Sequence, residues 1–175
     1  MEQGFAIWIT GLPAAGKSSV ARELSILLRE RGIPVVVLES DVLRAVLAPE
    51  VGYGEEERDR FYRMFAETGE IITKNGVPVI FDATANLRRY RDSARRMIPR
   101  FLEVFLDCPL EVCRERDPKG IYARSGSNEH GTVPGVQAPY EPPLRPDVVL
   151  GFRTTPSQGA ELILSKLGER GIIPI

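Results

Sequence analysis

The sequence predicts an α/β fold in which a mainly parallel, five-stranded sheet carries helices on both faces. Short apolar runs, typical of buried strands, alternate along the chain with segments of helical periodicity. Such an alternation indicates parallel strands, because each strand must be joined to the next by a crossing helix. The 175 residues are long enough to bury a core and are predicted to form one domain, residues 1–175.

The first predicted strand leads directly into the most informative motif of the chain. The apolar run 5–9 is followed by residues 11–18, which fit the pattern G-x-x-x-x-G-K-[ST], and then by a helical pattern. Strand, glycine-rich loop and helix together are typical of a phosphate-binding loop, whose backbone N–H groups and helix N-terminus surround phosphate oxygens. The sequence therefore predicts the P-loop NTPase fold and a bound nucleoside triphosphate.

Each residue type in this loop has a defined task. Lys17 is expected to reach the β- and γ-phosphates, and Ser18 is expected to ligate Mg²⁺. The predicted triphosphate-binding residues of the loop are Gly11, Leu12, Pro13, Ala14, Ala15, Gly16, Lys17, Ser18 and Ser19.

The remaining apolar runs and helical patterns predict the other elements. Further strands are expected at 33–38, 77–81, 101–106 and 147–150, and helices after Gly54 and at 88–97, 110–116 and 156–170. The arginine-rich helix at 88–97 is expected to be exposed. The helix after Gly54 is expected to end at Asn75 and Gly76. Its predicted apolar face consists of Phe61, Met64, Phe65, Thr68, Ile71 and Ile72.

Two carboxylates follow predicted strands at the edge of the sheet where such folds bind ligands. Asp41 is expected to close strand two. There it can accept the proton of an attacking hydroxyl, position Mg²⁺ through water, or cap the next helix. Asp82 ends strand three and can hold the water shell of the metal, with a turn or cap residue as the alternative.

Basic residues follow these carboxylates. Arg44 and Arg58 can clamp an anionic acceptor by bidentate hydrogen bonds, although arginines on helices are usually solvated. A lid is predicted over roughly residues 114–146, because most of that segment lacks helical or strand periodicity and is too long for a simple connection. Charges suited to a transferring phosphoryl group lie at its start, at Arg114, Arg116, Lys119 and Arg124.

The composition excludes several function classes. The formal net charge is −1 with both signs interspersed, which indicates that neither nucleic acid nor an anionic membrane is a partner. No run is long enough for a membrane span, and no signal or transit peptide is visible, so a cytoplasmic protein is expected. Cys108 and Cys113 are too few for a disulfide framework and are expected to be reduced packing residues, with a reactive Cys113 as the alternative.

Four segments together resemble the adenylyl-sulfate kinase (APS kinase) family along nearly the whole chain. Besides the phosphate loop, they are Asp-Val-Leu-Arg at 41–44, Asp-Pro-Lys-Gly-Ile-Tyr at 117–122 and Pro-Gly-Val-Gln-Ala-Pro-Tyr-Glu-Pro-Pro at 134–143. The last two are much more specific than the phosphate loop. The resemblance implies transfer of the γ-phosphoryl group of MgATP to the ribose 3′-hydroxyl of adenosine 5′-phosphosulfate (APS). The products are ADP and the activated sulfate donor PAPS, for sulfate assimilation or a specialised sulfation pathway.

The resemblance also implies roles for single residues. Asp41 would engage the acceptor 3′-hydroxyl, and Arg44 and Arg58 would hold the phosphosulfate. Lys119 would belong to the lid over the nucleotides. In any of the kinase interpretations, lid closure is expected to bring Lys119 and Arg116 over the phosphates. Members of the family are often dimers, so the resemblance allows a homodimer.

Several positions depart from the family pattern. Tyr53 stands where the family usually has a Phe that stacks on the APS adenine, and Val133 replaces the second ring of that sandwich. Phe61 replaces an Asn, and residues 82–86 look more like other small-molecule kinases of the phosphate-loop class.

These departures leave two alternatives open. The first is a kinase of a different small hydroxyl-bearing metabolite, whose pocket Tyr53, Phe61 and Val133 would define. The second is a nucleotide-binding switch without kinase turnover.

Overall fold

A five-stranded sheet forms the centre of the computed structural model, which describes residues 3–47, 52, 54–125 and 132–174. The strands are β1 (Ala6–Thr10), β2 (Val36–Glu39), β3 (Val79–Asp82), β4 (Phe101–Asp107) and β5 (Val148–Gly151). Their order is β2-β3-β1-β4-β5, and all paired neighbours run parallel. The predicted parallel sheet is confirmed.

Helices connect these strands on both sides of the sheet. They are α1 (Lys17–Glu30), α2 (Ser40–Leu47), α3 (Glu55–Lys74), α4 (Arg88–Met97), α5 (Leu110–Arg116) and α6 (Pro156–Glu169). The first strand shows why the core has two parts: Ile7 and Ile9 pack with α1 and α6, whereas Trp8 between them packs with α3 and α4. Alternate residues of a strand point to opposite faces, so an apolar run such as β1 fills both.

The second core cluster is built around Trp8. Its indole stacks on Phe81 with ring centroids 4.6 Å apart and meets the edge of Phe65 at 5.6 Å. All three side chains are fully buried. The indole Nε1–H donates to the carbonyl of Ala83 at 3.2 Å, so the one polar atom of this ring is also satisfied.

Two strands begin two or three residues later than their apolar runs predicted. Strand two was expected from residue 33 and strand three from residue 77, but the ladders begin at Val36 and Val79. Pro34 and Pro78 lie just before these starts. Proline has no N–H to donate to a ladder, so pairing is delayed until the chain has passed it.

Two expectations about helix faces were wrong. Ile71, placed on the apolar face of α3, is 62% exposed. Arg91, placed on an exposed basic helix, is 1% exposed and binds Glu103 of β4 at 2.8 Å. The buried carboxylate compensates the guanidinium charge, so Arg91 can face the sheet while the other arginines of α4 stay nearer to solvent.

Within the described part of the chain, every helix is too short or too polar to cross a bilayer.

The close approach of α3 to the sheet gives a stability prediction. A Cβ at Gly69 would lie 2.0 Å from Cζ of the buried Phe81. We expect Gly69→Ala to destabilise the fold by about 1–3 kcal/mol, because the overpacking exceeds the gain in helix propensity. Thermal unfolding followed by circular dichroism measures this. Gly151→Ala is the matched control, since its Cβ would meet nothing within 4 Å, and an equal loss in both variants would contradict the prediction.

Candidate active site

A cavity of about 510 Å³ lies at the carboxyl ends of the central strands. The parallel register places Ile9, Asp82 and Glu39 side by side on β1, β3 and β2. The segments that follow these strands therefore leave the sheet at the same edge. Of the predicted site residues, those that line the cavity are Pro13, Ala14, Gly16, Lys17, Ser18, Ser19, Asp41, Arg44, Arg58, Asp82, Lys119 and Val133.

The phosphate loop joins β1 to α1 with backbone conformations that glycine permits. Gly16 has φ of 104° and stands at the N-cap of α1, where it offers no side chain to cap the first turn. The N–H groups of that turn are therefore left for another acceptor, and the helix dipole favours an anion there. The ammonium of Lys17 lies back over the loop, 3.2 Å from the carbonyl oxygen of Gly11 and 3.0 Å from that of Leu12.

The charge of Lys17 is balanced by two carboxylates of the cavity. Burial lowers the pKa of Lys17 from its usual value, and the nearby Asp82 and Asp41 oppose that shift. Both carboxylates favour the protonated amine, since an opposite charge stabilises the ionised form. The two carboxylates therefore offset part of the effect of burial on Lys17.

Asp41 lies in the helix that follows strand two, and not at the end of the strand itself. It was expected to close strand two and, in the alternative interpretation, to cap the next helix, but α2 begins at Ser40 and Asp41 lies in its first turn. Its carboxylate accepts a hydrogen bond from the lid residue Lys119 at 2.8 Å. This bond raises the pKa of Lys119 above its usual value. The side chain of Asp41 is 67% exposed, so it remains accessible from the cavity.

Arg44 and Arg58 are buried, at 8% and 6% exposure, which excludes the alternative that they are solvated helix arginines. The Arg44 guanidinium stacks over the ring of Phe61 at 4.0 Å and donates to the carbonyl of Gly52 at 3.2 Å. Arg58 donates to the carbonyl of Thr132. Both guanidinium groups thus lie in the wall of the cavity, already oriented by these contacts.

Phe61 does not take the place that the alternative acceptor hypothesis gave it. It was expected to shape the pocket, but it is 1% exposed, belongs to the core and lies beneath Arg44 rather than in the cavity wall. Val133 is 5% exposed and does line the cavity. Tyr53 lies outside the described residues.

The start of the lid is folded against the phosphate loop. The carboxylate of Asp117 accepts hydrogen bonds from the backbone N–H groups of Ile121, Tyr122 and Ala123 at 2.7–3.0 Å. The hydroxyl of Tyr122 then donates to the carbonyl of Pro13 at 2.9 Å. These contacts hold the loop that carries Lys119 against the phosphate loop, and they place Lys119 at the cavity.

Arg116 lies apart from the cavity. Its guanidinium donates to the carbonyl of Phe152 at 2.9 Å, and Arg124 of the same segment lines the cavity instead. The expected place of Arg116 over the phosphates stays a prediction.

Several lining residues were not among the predicted site residues, including Glu39, Tyr62 and Asn86. Glu39 could have been found, because it ends strand two as Asp82 ends strand three and the two are register partners. Asn86 belongs to the segment 82–86 that departs from the family pattern, but its place in the cavity depends on contacts between distant segments. The same is true of Tyr62, which gave no signal in the sequence.

The donors suit a magnesium ion that keeps most of its water. Ser18, Asp82 and Glu39 all line the cavity edge beside α1. Within residues 3–47, 52, 54–125 and 132–174, no three His, Cys, Asp or Glu side chains come close enough to form a metal cage. Mg²⁺ is commonly held by one or two protein oxygens together with substrate phosphates, so this sparse set of oxygen ligands fits it.

Comparison with known proteins identifies the family. A family model described as adenylylsulphate kinase matches residues 3–151. A probable adenylyl-sulfate kinase of Pyrococcus abyssi is 39% identical over 173 residues, which are 98% of this chain and 99% of the relative. This chain belongs to the adenylylsulphate kinase family. The resemblance predicted from the sequence is confirmed.

Solved structures of the family share its fold. The Mycobacterium tuberculosis APS kinase in complex with AMPPNP and APS has a TM-score of 0.88 and 34% identity, covering 95% of this chain and 99% of that one. A hexameric APS kinase from Thiobacillus denitrificans has a TM-score of 0.74 and 27% identity, covering 99% of this chain and 30% of that one. The predicted P-loop kinase fold is therefore confirmed.

The cysteines of this family member are buried in the core cluster beneath the phosphate loop, in agreement with their expected packing role. Burial, together with a hydrogen bond to Cys108, raises the pKa of the Cys113 thiol to about 12. We therefore expect no alkylation of Cys113 by iodoacetamide at pH 8, where it stays protonated. Mass spectrometry measures the adducts, with denatured protein as the positive control. Rapid labelling of Cys113 in the folded chain would instead support the alternative that this cysteine is reactive.

Proposed function

We propose that this chain transfers the γ-phosphoryl group of ATP to the ribose 3′-hydroxyl of APS, which yields PAPS and ADP. The observation that carries the proposal is that a phosphate loop, a carboxylate and two buried arginines converge on one cavity. The complex of the M. tuberculosis enzyme with AMPPNP and APS supports this choice of substrates.

The triphosphate would lie at the N-terminus of α1. The uncapped N–H groups after Gly16 and the ammonium of Lys17 supply positive charge on one side of the γ-phosphoryl group. Lys17 now donates to two backbone carbonyls of its own loop, and phosphate oxygens are stronger acceptors at the same distance. The lysine can therefore exchange its partners without a large movement.

Ser18 and Asp82 are the residues that we propose would hold Mg²⁺, with Asp82 acting through water. Glu39 lies beside Asp82 in the sheet and adds a second carboxylate to that edge. When bound, the ion neutralises charge on the β- and γ-phosphates. Ser18 opens α1 and Asp82 closes β3, so regular elements position both ligands.

Asp41 is the proposed proton acceptor. As the acceptor 3′-oxygen forms its bond to the γ-phosphorus, the bond from that phosphorus to the β-γ bridging oxygen breaks and ADP leaves. The hydroxyl proton passes to the carboxylate of Asp41. Lys119 now donates to this carboxylate, and the acceptor would displace it. The freed lysine can then contribute its charge at the phosphates.

Arg44 and Arg58 are proposed to hold the phosphosulfate of APS. Arginine forms bidentate hydrogen bonds to such oxyanions, and burial strengthens them. Phe61 holds the Arg44 guanidinium flat, which limits the rotamer entropy lost on binding. Tyr53 and Val133 are proposed to contact the acceptor base, with Val133 supplying apolar contact where the family usually stacks a ring.

Direct detection of PAPS tests the proposal. The wild-type chain is incubated with MgATP and APS, and products are separated by ion-exchange chromatography beside a reaction without acceptor. PAPS formed only with APS supports the assignment. ATP consumption that needs a different hydroxyl compound would favour a kinase of another metabolite, and tight ATP binding without any transfer would favour a nucleotide switch. Self-association as a homodimer stays a prediction, which sedimentation velocity can test.

Lys17→Ala should lower kcat for PAPS formation at least about a hundredfold, because the transferring charge loses its nearest fixed cation. Rates are measured at saturating ATP by PAPS detection. Lys74→Ala serves as the matched control, since Lys74 pairs only with Glu70 on the surface of α3 among the described residues. Near-normal turnover of Lys17→Ala would overturn the role of the phosphate loop.

Asp41→Asn should lower kcat by about 10²–10⁴, the usual contribution of a general base, and leave the affinity for ATP within a few-fold. The lost contact to Lys119 is exposed and contributes little to stability, so the melting temperature should not fall. Single-turnover rates and calorimetric ATP titration separate the two effects. Asp92→Asn, on the exposed side of α4, is the control. A collapse of ATP binding would make Asp41 a metal ligand or a structural residue.

A further inference from the structure

The turn that joins β3 to α4 forms part of the cavity wall. Thr84 and Asn86 of this turn line the cavity, and Ala85 between them has φ of 42°. This left-handed conformation is uncommon for residues that carry a Cβ. Such strain persists only where the surroundings hold it, and it is found more often at functional sites than elsewhere.

Buried side chains from two helices hold the strained residue. The hydroxyl of Tyr62 from α3 accepts a hydrogen bond from the N–H of Ala85 at 3.0 Å. Nη1 of Arg91 from α4 donates to the carbonyl of Ala85, and Glu103 fixes the same guanidinium at 2.8 Å. Both backbone groups of Ala85 are therefore satisfied, and the position of the next residue, Asn86, is set.

Asn86 is held on two further sides by the end of the segment that is predicted as a lid. Its backbone carbonyl accepts from the N–H of Glu141 at 2.7 Å, and its Nδ2 donates to the carbonyl of Pro139 at 2.9 Å. A carbonyl oxygen can only accept, so this contact fixes which end of the amide faces Pro139. The side chain of Asn86 cannot flip without losing that hydrogen bond.

The other end of this amide has no partner within the described residues. Asn86 is 3% exposed and lines the cavity, yet no described group donates to its Oδ1. Among the described residues, Oδ1 of Asn86 is not one of the fully enclosed polar atoms that lack a partner, so it reaches the open cavity. A ligand group bound there can donate to it.

We propose that Asn86 is a specificity-determining residue, whose Oδ1 accepts a hydrogen bond from an N–H or O–H group of the phosphoryl acceptor. This inference rests on the proposed function. In APS the phosphosulfate has no donor at neutral pH, and the 3′-hydroxyl is assigned to Asp41. The donors that remain are the exocyclic amine of the base and the ribose 2′-hydroxyl.

A hydrogen bond to Asn86 would let the site discriminate between phosphoryl acceptors, which apolar contact at Val133 cannot do. An acceptor that lacks the matching donor leaves Oδ1 desolvated and unpaired. Sites built to hydrogen-bond a substrate reject analogues without that group much more strongly than apolar pockets do. In this chain, where Val133 replaces the second stacking ring, a hydrogen bond to Asn86 would then contribute to recognition of the acceptor.

The test compares three acceptors: APS, inosine 5′-phosphosulfate, in which an oxygen replaces the amine, and 2′-deoxyadenosine 5′-phosphosulfate. Wild-type chain, Asn86→Leu and Asn86→Ala are assayed for kcat/KM by PAPS-type product formation. We expect the wild type to prefer APS over one analogue by about tenfold, and both variants to lose that preference. The analogue that the wild type rejects identifies the donor as the base amine or the 2′-hydroxyl.

Two readouts separate recognition from a structural role. The KM for ATP and the melting temperature are measured for each variant, and Asn75→Leu, at the exposed end of α3, is the matched control that should keep the preference. Equal loss of kcat/KM on all three acceptors, an unchanged preference in the variants, or no preference in the wild type would overturn the role of Asn86. Failure of the wild type to form PAPS from APS would overturn the proposed function as well.

Discussion

The parallel register of three neighbouring strands determines where every part of the site can lie. Because β2, β3 and β1 run in the same direction with Glu39, Asp82 and Ile9 aligned, the three following segments emerge at one edge. A slip of one residue would exchange the two faces of a strand. A slip of β1 would place Trp8 on the side of α1 and α6, and a slip of β3 would turn Asp82 away from the cavity. The strand register therefore determines both the aromatic packing of Trp8 and the position of the carboxylates.

The segment predicted as a lid is attached to this frame at both ends. At its start, Tyr122 donates to Pro13 of the phosphate loop, and at its end Glu141 and Pro139 bind Asn86. Between them, Thr132 accepts a hydrogen bond from Arg58. Each of these contacts joins the lid to a segment that faces one of the two proposed substrates. The proposed nucleotide and acceptor sites are thus connected through the segment predicted as a lid as well as through the sheet.

The sequence predicted the site where local patterns carry the information. The phosphate loop was predicted from its spacing, and Asp41 and Asp82 from their place after predicted strands. Arg44 and Arg58 were predicted from their position and from the family resemblance, and all four side chains line the cavity with Lys17 and Ser18. Contacts between distant residues could not be predicted in this way. Arg91 was expected to be exposed because its buried partner, Glu103, lies on another element. Phe61 was placed on the apolar face of its helix, where it lies, and only the alternative acceptor hypothesis put it in the pocket. Its contact beneath Arg44 could not be predicted from local patterns.

The single tryptophan of the chain has a further consequence. Trp8 is fully buried, and its indole N–H is bonded to Ala83, the first residue of the turn that carries Thr84 and Asn86 into the cavity. The fluorescence of this indole therefore comes from one place, at the junction between the hydrophobic core and the wall of the site. A movement of that turn alters the polarity around the excited ring, so the native chain contains its own optical reporter of events in the cavity.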